Sequence, residues 1–73
     1  MDIGEAMQCL RNGHPVTRAV WEAHAAVTDY VRLEMEQIAW NSVIIFSVCE
    51  DGSRWAYTCS HGDLLADDWK RAE

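Results

Sequence analysis

Seven consecutive strand-forming residues, Val43-Ile44-Ile45-Phe46-Ser47-Val48-Cys49, run into Glu50-Asp51-Gly52-Ser53 and then Arg54-Trp55-Ala56-Tyr57-Thr58. β-Branched and aromatic side chains suit the pleated surface of a sheet, and Asp-Gly between two such runs supplies the positive φ of a tight hairpin turn. The chain is thereby committed to an antiparallel hairpin in its second half. This continuous run, rich in β-branched residues, predicts a central strand covered on both faces, by a helix or by another subunit. Upstream, residues Asp29 to Gln37 alternate Tyr30, Arg32, Glu34 and Glu36 with Val31, Leu33 and Met35. That period predicts a half-exposed strand with one apolar and one mostly charged face.

A helix precedes these strands. Asp2 is placed as N-cap, Glu5 three residues later completes a capping box, and Ile3, Ala6, Met7 and Leu10 recur along one face. Gly13 suits the C-terminal cap, so the helix is expected over about residues 3–12. Pro15 then pushes His14 toward extended backbone, and Pro15-Val16-Thr17-Arg18 reads as the start of an edge strand with Val16 facing the core. Near the far end, Ser60 is a second N-cap, with Asp63 three residues on as a near-match to a capping box. A short helix through Leu64, Leu65 and Ala66 follows, and Trp69 then closes the chain by packing against another part of the protein. The expected fold is a single α+β domain over residues 1–73. It has an N-terminal helix packed on a four- or five-stranded antiparallel sheet, and a short second helix near the C-terminus.

At 73 residues such a domain buries only about 60% of the surface its unfolded chain exposes, so it needs reinforcement. Cys9, Cys49 and Cys59 are odd in number and lack a Cys-x-x-Cys spacing, which argues against a disulfide framework and for buried, reduced thiols. His14, His24 and His61 are far apart and read as surface residues, not metal ligands. No cofactor is implied. With 49% hydrophobic residues and four tryptophans, assembly into a homo-oligomer is the expected source of further burial.

The formal net charge of −6 weighs against a nucleic-acid polymer or an anionic membrane surface as partner. It leaves small anionic ligands open, since one phosphate needs only one or two arginines and a few amides. No apolar run reaches the ~20 residues that cross a bilayer, and the chain reads as intracellular. Arg18-Ala19-Val20-Trp21 and Ser60-His61-Gly62-Asp63-Leu64-Leu65-Ala66-Asp67-Asp68-Trp69 each combine an aromatic ring with polar or charged groups, the mixture of a small-ligand pocket. Ser60, His61 and Asp63 have hydrolase residue types, but three groups within four positions do not form a nucleophile, base and orienter. Recognition without catalysis is the reading that remains.

The order Ile3-Gly4-Glu5-Ala6, Gly13, Val16, Arg18, Trp21, Asp51-Gly52, Trp55, Ser60 and Asp63-Leu64-Leu65-Ala66-Asp67-Asp68-Trp69 resembles the phage family known as Thoeris anti-defence protein two. The resemblance implies a non-enzymatic sponge in the cytoplasm of the infected bacterial host. Such a protein binds a cyclic nucleotide messenger of the glycocyclic ADP-ribose type, or in some relatives a cyclic dinucleotide, and withholds it from its effector. It further implies a homotetramer with ligand sites at subunit interfaces. On this resemblance Trp21 stacks on a base, Arg18 neutralises phosphate or stacks, and Ser60 and Asp63 hydrogen-bond ribose or a base edge. Arg54 and Trp55, beside the hairpin, are further candidates. After Trp21 the chain has Glu22-Ala23-His24 where relatives often continue with Asn-Gly, and Thr58-Cys59 where they tend to have proline.

The residues also carry plainer readings. Trp40, Trp55 and Trp69 are expected in the core or an interface, Asp63 is a helix-start residue first, and Asp67-Asp68 is a solvated acidic pair. The alternative function is a small acidic protein-interaction or inhibitor module that binds no nucleotide.

Overall fold

Asp2 caps the first helix as its sequence requires: the Asp2 carboxylate accepts from the Glu5 N–H at 2.8 Å while the Glu5 side chain accepts from the Asp2 N–H at 3.1 Å. The helix, α1, spans Ile3–Arg11, with Asn12 as its C-cap. Gly13, at φ 86°, donates to the Leu10 carbonyl, and His14 donates to that of Cys9 at 2.9 Å, the paired bonds of a Schellman ending. In the computed structural model, which describes residues 1–23 and 30–73, the order continues β1 (Val16–Arg18), α2 (Ala19–Ala23) and β2 (Tyr30–Ala39). Then follow β3 (Ser42–Cys49), β4 (Arg54–Ala56), α3 (His61–Leu65) and β5 (Trp69–Arg71). His24 and Asp29 lie outside the described residues.

The five strands form one antiparallel sheet in the order β4-β3-β2-β1-β5. This bears out the α+β architecture and corrects one detail. β1 is not an edge strand, because Trp69–Arg71, expected only to close the chain, pairs with it as Val16↔Arg71, Thr17↔Lys70 and Arg18↔Trp69. Three residues are too few to display a period, so β5 is invisible to pattern reading. Pro15, lacking an N–H, keeps its place at the strand's entrance by accepting from Ala72 at 2.9 Å.

The hairpin from β3 to β4 forms as predicted, with Gly52 at φ 92°, Cys49 donating to Ser53 at 2.8 Å and the Asp51 carboxylate accepting from the Ser53 N–H at 2.9 Å. β3 is paired along both edges but is not covered on both faces within the chain: Val43 remains 54% exposed. α1 lies on only part of one face. Its Ala6 and Leu10 meet Val16, Trp21, Leu33 and Trp69 in the core, with Ile3, Met7, Met35, Ile45 and Tyr57 packed around it. Fully burying a side chain of this size contributes about 1.5–3 kcal/mol, so these contacts set the position of helix on sheet.

A bulge changes one face assignment. Tyr30 pairs with Cys49 and Arg32 with Val48, leaving Val31 as an extra residue whose carbonyl accepts from the Thr17 hydroxyl at 2.8 Å. Period-two alternation breaks there, and Tyr30 joins Leu33 on the helix-covered side instead of sharing the charged face with Arg32, Glu34 and Glu36. The thiols differ from expectation too: Cys59 is exposed, and Cys9 and Cys49 are half-buried.

Gly13→Ala tests the Schellman ending. No atom lies within 4 Å of an added Cβ, so the cost is backbone conformation alone, about 1 kcal/mol. For a domain this small, that is a fall of about 4–8 °C in the thermal midpoint, with α1 still formed by circular dichroism.

Candidate functional site

Arg18, at the last position of β1, turns its guanidinium toward the tail. Its Nε donates to Asp68 Oδ1 at 2.7 Å and its Nη1 to Asp63 Oδ1 at 2.8 Å. The other Asp63 oxygen accepts from the Tyr57 hydroxyl at 2.6 Å. Asp63 is only 5% exposed, and with both oxygens engaged its carboxylate does not close a capping box on α3. Ser60 caps that helix alone, its hydroxyl accepting from the Asp63 N–H at 3.1 Å.

Asp68 is not a solvated residue like its exposed neighbour Asp67. Besides holding Arg18, its carbonyl accepts from the Ala19 N–H at 3.0 Å and its carboxylate from the Val20 N–H at 3.0 Å. These fill two of the donors that the start of a helix leaves without intrahelical partners. α2 is capped by a residue some fifty positions away, which is why local sequence gives no sign of it. Electrostatics follow this geometry. Partial burial works against the Asp68 charge, but the Arg18 and Val20 bonds outweigh it and hold the carboxyl below its ordinary range. Burial likewise opposes the Arg18 charge, and the Asp68 and Asp63 bonds hold its pKa up. Burial, then the bond to Asp63, pushes the Tyr57 hydroxyl up.

Arg18, Ser60, Asp63 and Trp21 are thus brought together, as a structural cluster. Trp21 is 5% exposed and stands edge-on to Trp69 at 5.3 Å and to Tyr30 at 4.9 Å between ring centroids. The Trp69 indole N–H donates to the Asp63 carbonyl at 3.0 Å, and Tyr30 meets Tyr57 edge-on at 6.2 Å. Trp69, expected from the sequence in the core or an interface, is in the core. Within the chain, Trp21 packs against these rings and positions Tyr30.

Arg54 and Trp55 are adjacent in sequence but point to opposite faces of the sheet. Arg54 lies 4.0 Å over the Phe46 ring and pairs with Glu36 at 2.9 Å on the charged face. Trp55, opposite Ser47, stands on the helix-covered face beyond the reach of α1 and is 67% exposed. It lines a groove of about 540 Å³ with Tyr30, Ser47, Cys49, Asp51 and Ser53. Tyr30, Ser47 and Asp51 carried no signal as site residues, because strand register and the Val31 bulge alone bring them beside Trp55. A second groove, about 460 Å³ between α1, α3 and β3, is lined by Ile3, Met7, Val43, Ile45, Tyr57, Cys59 and Leu64. Its lining is almost wholly apolar, with little to orient a polar ligand. No group of three metal-ligating side chains occurs among the described residues, and no helix among them is long and apolar enough to cross a membrane.

Two substitutions separate support from recognition. Trp21→Ala empties the centre of the core and costs about 3–5 kcal/mol, visible as a large drop in the urea midpoint. Asp68, with a lowered pKa in the folded state, contributes stability that is present above the ordinary aspartate pKa of about 4 and is lost as pH falls through the lowered value. Asp68→Asn is therefore less stable at neutral pH and loses stability less steeply below about pH 4, as read from urea titrations across pH.

No curated protein matches the chain. A family model does: the Thoeris anti-defense 2-like domain aligns with residues 1–71. With the match running from α1 through β5, the chain belongs to the Thoeris anti-defense 2-like family.

Proposed function

We propose that this protein counters Thoeris defence by binding and sequestering a cyclic nucleotide signal, of the glycocyclic ADP-ribose type or a cyclic dinucleotide, without degrading it. The family match over residues 1–71 carries the reading. The Trp55 groove supports it by pairing the aromatic surface of Trp55 and Tyr30 with hydroxyl and carboxylate groups. The tail's Ser60, His61 and Asp63 favour holding over turnover. Ser60 is occupied in capping α3 and Asp63 in binding Arg18 and Tyr57, so that both side chains serve the fold.

The working form in this reading is a homo-oligomer, a tetramer by family resemblance, in the host cytoplasm. Trp40 at 89% exposure, Leu65 at 83%, Ile38 at 58% and Val43 at 54% are the apolar surfaces that assembly would cover. Of the six sequence candidates, Trp55 is the one that presents an open ring within a single chain. Trp21, Arg18, Ser60 and Asp63 enter as supports of the same aromatic array, and Arg54 as a contributor from the charged face.

The test is calorimetric titration of the purified protein with cyclic ADP-ribose isomers and cyclic dinucleotides, with mass measured on the same sample. Sub-micromolar binding by an intact multimer, and recovery of unchanged ligand after heat denaturation, is the expected result. A chemically altered ligand would identify an enzyme instead. Silence across the panel from a folded protein would favour an acidic module that binds a protein partner.

A further inference from the structure

The Trp55 groove has a charge pattern that decides which end of a nucleotide it accepts. Among the described residues of its lining, Asp51 is the one formally charged side chain. The Ser53 backbone N–H and hydroxyl hold the Asp51 carboxyl below its usual range, so it is an anion at neutral pH. The nearest cation in sequence, Arg54, is on the opposite face against Phe46 and Glu36. Arg18 is closed off by Asp63 and Asp68. A phosphate entering this groove would meet a carboxylate and, among the described lining residues, no guanidinium or ammonium, the reverse of what anion binding requires.

The same groups suit a neutral, donor-bearing ring system. The indole of Trp55 and the ring of Tyr30 offer aromatic surface, and base–aromatic stacking is sequence-tolerant because every base has a π-face. A carboxylate has about four acceptor sites, more than the Ser53 donors use, and it pairs with exocyclic amines and sugar hydroxyls. A groove of about 540 Å³ is large enough for a base and its ribose.

We infer that this groove is a nucleoside subsite: a purine base stacks on Trp55, Asp51 accepts a hydrogen bond from its amine or from the ribose, and the ligand's phosphates stay outside. The inference rests on the sponge reading and specifies the orientation of the ligand in it.

Trp indole N–H signals, followed by heteronuclear NMR in the full chain, report the subsite during titration with adenosine and with adenosine monophosphate. The Trp55 signal is the one missing from Trp55→Ala, an exposed substitution outside the core. Adenosine is expected to shift that signal, and the monophosphate to bind about three- to fivefold more weakly at low salt through repulsion by Asp51. Asp51→Asn should erase this difference while keeping the hairpin, since Asn-Gly suits the same turn. Tighter binding of the monophosphate to the unmodified protein, or a ratio unchanged by Asp51→Asn, overturns the inference. Equal binding of a cyclic ADP-ribose isomer to the unmodified protein and to Trp55→Ala overturns the subsite while leaving the sponge standing. A Trp55 response to adenosine with none to any cyclic nucleotide supports the subsite and removes the sponge.

Discussion

Arg18 is gripped by two carboxylates that approach from separate parts of the tail, Asp63 on α3 and Asp68 just before β5. Such a pair contributes little net stability once desolvation is counted, but leaving any one of the three groups without its partners is costly, so the arrangement selects a single docking of the tail. The consequences spread outward. With Asp68 in place, Trp69 pairs beside Arg18, β5 becomes the outer strand and β1 an inner one. The first N–H groups of α2 find acceptors on Asp68, Trp21 is carried into the core, and the edge of its ring sets the orientation of Tyr30. A charge cluster at one end of the sheet thereby fixes an aromatic ring on the neighbouring strand.

Elements built from contacts between near neighbours were legible in the sequence. The capping box of Asp2 and Glu5, the apolar spacing of Ile3, Ala6, Met7 and Leu10, and the Asp51-Gly52 turn each state their structure within a few residues. What was hidden depends on distant partners. β5 is three residues long and α2 five, too short for a period, and both exist because of pairings across some fifty positions. Asp67-Asp68 looks like a solvated pair because nothing local shows that Arg18 will reach the second member.

The candidate site divides in the same way. Trp55 was visible as an aromatic beside a hairpin, but its exposure depends on how far α1 extends over the sheet. Tyr30 and Asp51 join it through register and turn geometry. Conversely Arg18, Trp21, Ser60 and Asp63 drew attention as polar and aromatic groups in short order, and these properties serve the interior first. Small domains place much of their polar chemistry in holding themselves together, because so little of the chain can be wholly apolar core.

Val31 gives this fold a means of variation distinct from substitution. On either side of that unpaired residue β2 runs in opposite phase, so side chains that alternate in sequence do not alternate in space across it. Loss of one residue there would rotate the start of the strand by half a turn and send the Tyr30 ring to the outer face without altering any chemical group. Gain or loss of single residues at this point is therefore a direct way for related chains to exchange what lines the groove, at the cost of the edge contacts that Tyr30 makes with Trp21 and Tyr57.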